Sequence, residues 1–330
     1  MDRFALPCLK STPVYTPPRA LWKFKLHHYP QLDYSILDVF TSTPLAGNPL
    51  AVVLVPPERA YALSADHMQS IAREFNLSET TFIHRRPAAL EATEGLRVRI
   101  FTTQEELPFA GHPTLGTAAL LRRIAPELLR DDTITLALNV GPIPVHFESD
   151  TFGEMTQRDP TFGSALDPAQ VAPLIGLHPD DLDPAHPPQV VSTGIPFAIV
   201  LLRSLSALAR FRVDLAQAIP WINQHYAGAF FYALAPTGES SPQYRARMQF
   251  YGGEDPATGS AAGCAISYLA ARRIVPSGQR IHLRQGVEIH RPSDLFLSAH
   301  RTSSVDSPAV AQVRVAGSTV LVASGQLFLP

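Results

Sequence analysis

The feature that most constrains the fold is a long internal repeat. The segment 47–55, Gly-Asn-Pro-Leu-Ala-Val-Val-Leu-Val, resembles 194–202, Gly-Ile-Pro-Phe-Ala-Ile-Val-Leu-Leu, at an offset of 147. The segment 112–119, His-Pro-Thr-Leu-Gly-Thr-Ala-Ala, resembles 255–262, Asp-Pro-Ala-Thr-Gly-Ser-Ala-Ala, at an offset of 143. A period of this length indicates a duplicated domain and not a solenoid of short repeats. Two units of similar topology are therefore predicted.

Each half places an arginine-led strand pattern, at 97–101 and at 245–250, before an Ala-rich segment that follows Pro113 or Pro256. These Ala-rich segments are apolar almost all round, which is typical of a buried helix. The sequence therefore predicts an α+β fold with a duplicated domain. Each domain is expected to be a curved mixed β-sheet wrapped around a central α-helix, with the active site between the domains.

The predicted boundaries follow from prolines and glycines. Residues 1–33 contain five prolines and are interpreted as an N-terminal extension. The first domain is predicted over 34–143 and the second over 144–330, because the Gly-Pro-Ile-Pro run at 141–144 separates the two repeats. Strands are predicted at 311–315 and 319–328, and the terminal strand is compatible with a return to the first domain.

The charge balance and the missing motifs exclude several functions. With 27 basic and 29 acidic residues, the chain has no basic field for nucleic acid or an anionic membrane. No apolar run reaches the ~18 residues of a membrane span, and no signal-peptide core is present. Two cysteines favour a reducing, cytoplasmic location. Dinucleotide, phosphate-loop and HExxH motifs are missing, so we expect neither cofactor nor metal.

Both central helices are expected to start with a polar residue, His112 or Asp255, followed by proline at the first helical position. Small residues follow, including Gly259 and Ser260 in the second helix. Helix N-termini with free backbone N–H groups attract anions. If the two starts face one cleft, they would suit a substrate carboxylate and a developing oxyanion.

Glu79 is the second acid of interest. Ser64 is expected to cap a helix over 65–75 that ends at Asn76, and Glu79 then opens an apolar, β-branched strand. A carboxylate partly removed from water has a raised pKa, which suits general acid–base catalysis.

Each of these residues also has a structural interpretation. Asp255 is a good helix cap and Ser260 a small helical residue, while Gly259 would serve close packing. Glu79 could be an exposed strand-entry residue, and Asn48 is typical of a turn. Glu106, before the first central helix, could be solvated or could orient its loop.

Five segments together resemble the phenazine-biosynthesis-like (PhzF) family, related in fold to diaminopimelate epimerase and proline racemase. They are the Asp-Val-Phe-Thr run from Asp38, Ala-Gly-Asn-Pro at 46–49, Asn-Leu-Ser-Glu-Thr-Thr-Phe at 76–82, Glu-Leu-Pro-Phe-Ala-Gly-His-Pro at 106–113 and Gly-Glu-Asp-Pro-Ala-Thr-Gly-Ser-Ala-Ala at 253–262. The resemblance covers roughly 34–329.

The resemblance implies a cofactor-independent isomerase that transfers a proton between carbons of a small carboxylate. Its reaction would be similar to that of trans-2,3-dihydro-3-hydroxyanthranilate isomerase. It implies Glu79 as the acid–base residue, with His112, Asp255 and Ser260 as the polar groups around it. Substrate contacts are assigned to Asn48, Gly111, Gly259 and Ser260. A homodimer is expected from the resemblance alone.

Two alternatives stay open. The related racemases and epimerases use a pair of thiols at the central-helix starts, where this chain has no cysteine, and Cys264 lies deeper in its helix. A non-catalytic binding protein on the same fold is the other alternative. A turnover screen would separate it from an enzyme.

Overall fold

In the computed structural model, residues 31–57, 63–226, 230–241, 243–250, 253–302 and 309–329 are described. They form a mixed α+β fold with seven α-helices and 17 strands. The helices are α1 Ala65–Phe75, α2 Ala88–Glu94, α3 Gly111–Ile124, α4 Pro168–Leu174, α5 Leu205–Arg210, α6 Leu215–Tyr226 and α7 Gly259–Ala271. The strands are β1 Gln31–Val39, β2 Asn48–Val55, β3 Glu79–His84, β4 Leu96–Phe101, β5 Glu106–Leu107, β6 Thr133–Leu138, β7 Gly141–Phe147, β8 Phe152–Thr156, β9 Thr161–Ala165, β10 Gln189–Ser192, β11 Pro196–Leu201, β12 Phe230–Pro236, β13 Tyr244–Phe250, β14 Gly253–Glu254, β15 Ile281–Gln285, β16 Ser293–Arg301 and β17 Val310–Phe328.

Eight strands close a barrel around α3. The pairings run β1–β2–β3–β4–β6–β7–β8–β17 and return from β17 to β1. The β2–β3 and β4–β6 pairs are parallel, and the other pairs are antiparallel. Ten of the 14 residues of α3 are buried inside this barrel, because its Ala, Leu, Gly and Thr side chains present no charged face before Arg122.

The second half repeats this plan without closing. Its ladder runs β9–β10–β11–β12–β13–β15–β16–β17, again with two parallel pairs, β11–β12 and β13–β15. Helix α7 packs against this sheet, and all residues from Gly259 to Ala270 are buried. The 19-residue strand β17 belongs to both ladders, so the two halves share one continuous piece of backbone.

The predicted offset of 143 at the central helices differs from what the structure shows. Arg99 pairs with Glu106 and α3 begins at Gly111, whereas Arg247 pairs with Glu254 and α7 begins at Gly259. Each of these features recurs 148 positions later. His112 therefore occupies the place of Ser260, and not that of Asp255 as the offset of 143 predicts.

The predicted helix starts also differ from the structure. Helix α3 begins two residues before Pro113, and α7 begins three residues after Pro256. Neither proline is the first helical residue. The two prolines that occupy the same place relative to their helices are Pro108 and Pro256, which both lie in the turn before the helix.

Two predicted boundaries need correction. Strand β1 begins at Gln31, and its first three residues pair with Phe328, Leu327 and Gln326, so residues 31–33 belong to the sheet. The predicted boundary between 143 and 144 lies inside β7, which is paired on both sides. The rest of the predicted extension, with Cys8, lies outside the described residues. No helix in the described ranges is long and apolar enough to cross a membrane.

Candidate active site

The two central helices meet end to end at a pair of glycines. A Cβ built on Gly111 would lie 2.8 Å from the backbone carbonyl carbon of Gly259 and 2.8 Å from the backbone nitrogen of Ser260. Only glycine permits so close an approach of two backbones. The positive ends of both helix dipoles therefore point into one region, which favours negative charge there.

Glu79 reaches this region because of how α1 ends. Asn76 adopts the left-handed conformation (φ 50°) and turns the chain into β3, which pairs in parallel with β2 so that Glu79 lies opposite Leu50. The Glu79 side chain is 16% exposed, and its Oε2 has no hydrogen-bond partner among the described residues. Burial, and then the charge of Asp255, raises its pKa to about 8. A carboxyl in this state can both accept and return a proton near neutral pH.

His112, the second residue of α3, lies between Glu79 and Asn48. Its Nε2 is 3.5 Å from Glu79 Oε2, and its Nδ1 is 3.3 Å from Asn48 Nδ2. An amide nitrogen can only donate, so a hydrogen bond between these two nitrogens requires a bare Nδ1 and a ring proton on Nε2. Burial lowers the pKa of His112 to about 3, so the ring is neutral, and its Nε2 faces Glu79.

Asp255 is held by donors on both carboxylate oxygens. Asn48 Nδ2 donates to Oδ1 at 2.8 Å, and the Thr258 hydroxyl donates to Oδ2 at 2.6 Å. Asn48 Nδ2 also donates to the Ala257 carbonyl oxygen at 2.8 Å. Burial raises the pKa of Asp255, while these hydrogen bonds and one from Ser78 oppose the rise. Asn48 thus joins the two halves across a sequence separation of 207 residues.

The structure brings together the predicted residues Glu79, His112, Asp255 and Asn48, and places Gly111 against Gly259. Ser260 is 6% exposed and lies beside this contact. Glu106 is not simply solvated: its carboxylate pairs with Arg99 and holds the turn that leads into α3.

Sequence reasoning missed Gln285, Thr258 and Tyr232. Gln285 is fully buried at the end of β15 and binds both the Asp255 carbonyl oxygen, at 2.8 Å, and the Thr258 N–H, at 3.1 Å. Tyr232 donates its hydroxyl hydrogen to Gln285 Oε1 at 3.0 Å. The only available signal is the Gln-Gly pair at 285–286, where a glycine with φ 76° turns the strand beneath Pro256.

Cys264 is separate from this arrangement. It is fully buried in α7, with its sulfur 3.6 Å from the Thr193 hydroxyl, and burial raises its pKa to about 11. A thiol in this state is a poor base and nucleophile at neutral pH. Within the described ranges no group of three His, Cys, Asp or Glu side chains has a metal-binding arrangement.

The comparisons with known proteins agree on one family. The family model described as phenazine biosynthesis-like protein matches residues 37–325. A Pseudomonas aeruginosa protein named trans-2,3-dihydro-3-hydroxyanthranilate isomerase is 35% identical over 305 residues, covering 90% of this chain and 99% of that protein.

Solved structures give the same result. The Bacillus anthracis phenazine biosynthesis protein of the PhzF family superposes with a TM-score of 0.77 at 26% identity, covering 91% of this chain and all of that one. A predicted epimerase from Pseudomonas aeruginosa gives a TM-score of 0.72 at 33% identity, with the same coverage. Both structures span the two halves described above.

Proposed function

The chain is an isomerase of the phenazine biosynthesis-like protein family, and we propose that Glu79 carries the proton that its reaction moves. The observation that carries this proposal is the state of the Glu79 carboxyl. It is partly exposed, lacks a hydrogen-bond partner on Oε2 among the described residues, and has a pKa near the working pH. Each of these properties suits a group that must exchange a proton with a bound molecule.

The proposed reaction is balanced without a cofactor. The Glu79 carboxylate removes a proton from one carbon, and the electron pair of the broken C–H bond forms a new double bond. The existing double bond shifts along the skeleton, and its electrons take the same proton back from Glu79 at another carbon. The neutral His112 N–H stabilises the carboxylate form of Glu79 during the transfer. Substrate and product are therefore isomers.

The substrate class follows from the helix starts and the relatives. The free N–H groups at the beginning of α3 and α7 suit a carboxylate, and the polar rim of Asn48, Asp255 and Ser260 suits hydroxyl and amino groups. We propose a small amino carboxylate of the kind named for the Pseudomonas aeruginosa relative, trans-2,3-dihydro-3-hydroxyanthranilate. The backbone around Gly111 and Gly259 would orient it against Glu79.

The test is turnover by Glu79→Gln, with trans-2,3-dihydro-3-hydroxyanthranilate as the first substrate in a screen of small amino carboxylates. We expect kcat to fall at least ~100-fold while binding persists, because general acid–base catalysis contributes about that much. Glu74→Gln, on the exposed side of α1, makes the same charge change away from the site and should keep full activity.

Three results would separate the alternatives. Full activity of Glu79→Gln would overturn the role of Glu79. Racemisation lost on alkylation of a cysteine would favour a thiol racemase, although the buried state of Cys264 disfavours it. A ligand that raises the melting temperature but is never turned over would favour the binding protein.

The family membership also supports two wider proposals. The two halves derive from one duplicated unit, since the Arg–Glu pair, the proline turn and the helix-opening glycine recur at one offset of 148. The working form is a cytoplasmic homodimer, which light scattering of the purified protein would test. A stable monomer would contradict the second proposal and leave the first unaffected.

A further inference from the structure

The directions of the hydrogen bonds that Gln285, Thr258 and Asn48 make around Asp255 are fixed by backbone groups that cannot reverse their polarity. The Asp255 carbonyl oxygen can only accept, and the Thr258 N–H can only donate. Both contact the side-chain amide of Gln285, so Nε2 must face the carbonyl and Oε1 must face the N–H. The Tyr232 hydroxyl, also on Oε1, is then a donor, and burial raises its pKa so that it stays protonated.

This orientation determines the Thr258 hydroxyl. Gln285 Nε2 also lies 3.0 Å from Thr258 Oγ1, and a primary amide nitrogen can only donate. Thr258 Oγ1 therefore accepts from Gln285, and its single hydrogen is free to go to Asp255 Oδ2 at 2.6 Å. On the other side, Asn48 Nδ2 faces the Ala257 carbonyl oxygen, which fixes that amide as a donor to Asp255 Oδ1.

Asp255 thus receives one oriented donor on each carboxylate oxygen. Hydrogen bonds that are donated to a carboxylate stabilise its charged form, so the arrangement favours the ionised form of Asp255 despite burial. The Asp255 charge in turn acts on Glu79, whose proton it helps to retain. Among the described residues, His112 and Tyr232 are titratable side chains next to these two carboxyls, and burial keeps both neutral.

We propose that Gln285 is a positioning residue that orients the Thr258 hydroxyl and so keeps Asp255 charged beside Glu79. Gln285 is fully buried and does not reach the open side of the site, so it acts only through Thr258 and the 255–258 turn. The inference rests on the proposed role of Glu79, but its electrostatic part can be measured without any substrate.

The experiment compares three variants with the wild-type protein. Gln285→Met removes the amide and keeps the side-chain length, and Thr258→Val removes the hydroxyl and keeps the shape. Thr258→Ser keeps the hydroxyl and is the matched control. The readout is the pH titration of the side-chain carboxyl ¹³C NMR signals in ¹³C-labelled protein. Glu79→Gln and Asp255→Asn identify the two signals by their loss.

We expect the titration midpoint of Glu79 to move to lower pH by about one unit in Gln285→Met and in Thr258→Val. In both variants Asp255 takes a proton more readily, so its negative charge no longer raises the pKa of Glu79. Thr258→Ser should titrate like the wild type. The pH at which kcat/KM falls on the acid side of its pH profile should also move to lower values in Gln285→Met and Thr258→Val, provided that Glu79 is the base.

A merely structural role of Gln285 would lower the melting temperature of Gln285→Met and leave the Glu79 midpoint in place, which would overturn the proposal. Equal midpoints for Thr258→Val and Thr258→Ser would also overturn it, even if Gln285→Met did not fold. If the NMR midpoints move but the pH–rate profile does not, the positioning role stands and the proposed function of Glu79 fails.

Discussion

The two turns that lead into the central helices share a framework and differ in chemistry. Both contain an Arg–Glu pair, a proline and a helix-opening glycine, the first at 99–111 and the second at 247–259. Where the second turn has Asp255, the first has Leu107, and where α3 carries His112, α7 carries Ser260.

The symmetry of the two turns therefore belongs to the backbone and does not extend to the side chains at the site. Thiol racemases need one base on each side of a carbon, and a symmetric pair of helix starts supplies the two positions. In this chain Glu79 and His112 come from the first half, and the second half contributes Asp255, whose charge tunes Glu79. One base that takes and returns a proton suits an isomerase better than a two-base racemase.

The largest expected contrast between the turns concerns their ion pairs. The Arg247–Glu254 side chains are 10% and 8% exposed, against 22% and 24% for Arg99–Glu106. Arg247 also donates to the Leu208 and Ala209 carbonyl oxygens. Arg247→Met should therefore lower the free energy of unfolding by about 3–5 kcal/mol, because it strands a buried carboxylate.

Arg99→Met should cost about 1 kcal/mol, the value of a partly exposed pair. Urea denaturation of both variants measures the contrast, with Arg247→Met/Glu254→Gln expected to recover part of the loss. Equal losses for the two single variants would mean that the turns are energetically equivalent and that burial does not separate them.

A smaller contrast is expected at the two glycines. A Cβ on Gly111 would meet backbone atoms at 2.8 Å, whereas one on Gly259 would have its nearest neighbours, Gly111 Cα and a ring carbon of Phe40, at 3.2 Å. Gly111→Ala should cost about 1–3 kcal/mol, as overpacking does. Gly259→Ala should be close to neutral, because the helical preference of alanine offsets the tighter contact.

The same denaturation experiment tests the glycines, with each variant serving as the control for the other. Gly111→Ala should also reduce turnover, since a wider gap moves His112 away from Glu79. A larger loss in Gly259→Ala than in Gly111→Ala would contradict the geometry of this contact.

The last expected effect is the dependence of stability on pH. The folded-state pKa of Glu79, about 8, lies above its ordinary value, so the folded protein binds more protons than the unfolded chain between about pH 4.5 and 8. Its contribution is fully present at low pH and is lost as the pH rises through that range. Glu79→Gln should therefore gain stability relative to the wild type at pH 9 compared with pH 5, because only the wild type loses this contribution as the pH rises.

Thermal unfolding of both proteins from pH 5 to pH 9 measures this difference. Glu74→Gln, whose carboxylate is exposed, should show no such trend. A constant difference between Glu79→Gln and the wild type across the range would mean that Glu79 has an ordinary pKa when folded.

Features that depend on neighbouring residues could be predicted from the sequence. The helix over 65–75 is found with the expected ends, because Ser64 accepts a hydrogen bond from the His67 N–H and Asn76 takes the left-handed conformation. Both are local signals. The candidate site residues were also within reach, because the five family-like segments carry them.

Features that depend on distant contacts could not be predicted. The offset of 143 is misleading because Pro113 and Pro256 lie in similar segments, whereas the Arg–Glu pairs and the helix-opening glycines recur at an offset of 148. Strand β17 was divided in two, since Gly317 and Ser318 interrupt its pattern, but pairing with β8 and β16 carries it through. Gln285 has no local signal beyond the glycine that follows it, because its partners lie 27 to 53 residues away.

Strand β17 also has a consequence for how the protein is made. Its last ten residues, 319–328, pair with β1 at the start of the described chain and close the first barrel. During synthesis, the first barrel therefore cannot be completed until residues 319–328 have left the ribosome. Until then β1 and β8 remain as open edges next to a largely apolar α3, which is the condition under which nascent chains aggregate or recruit chaperones.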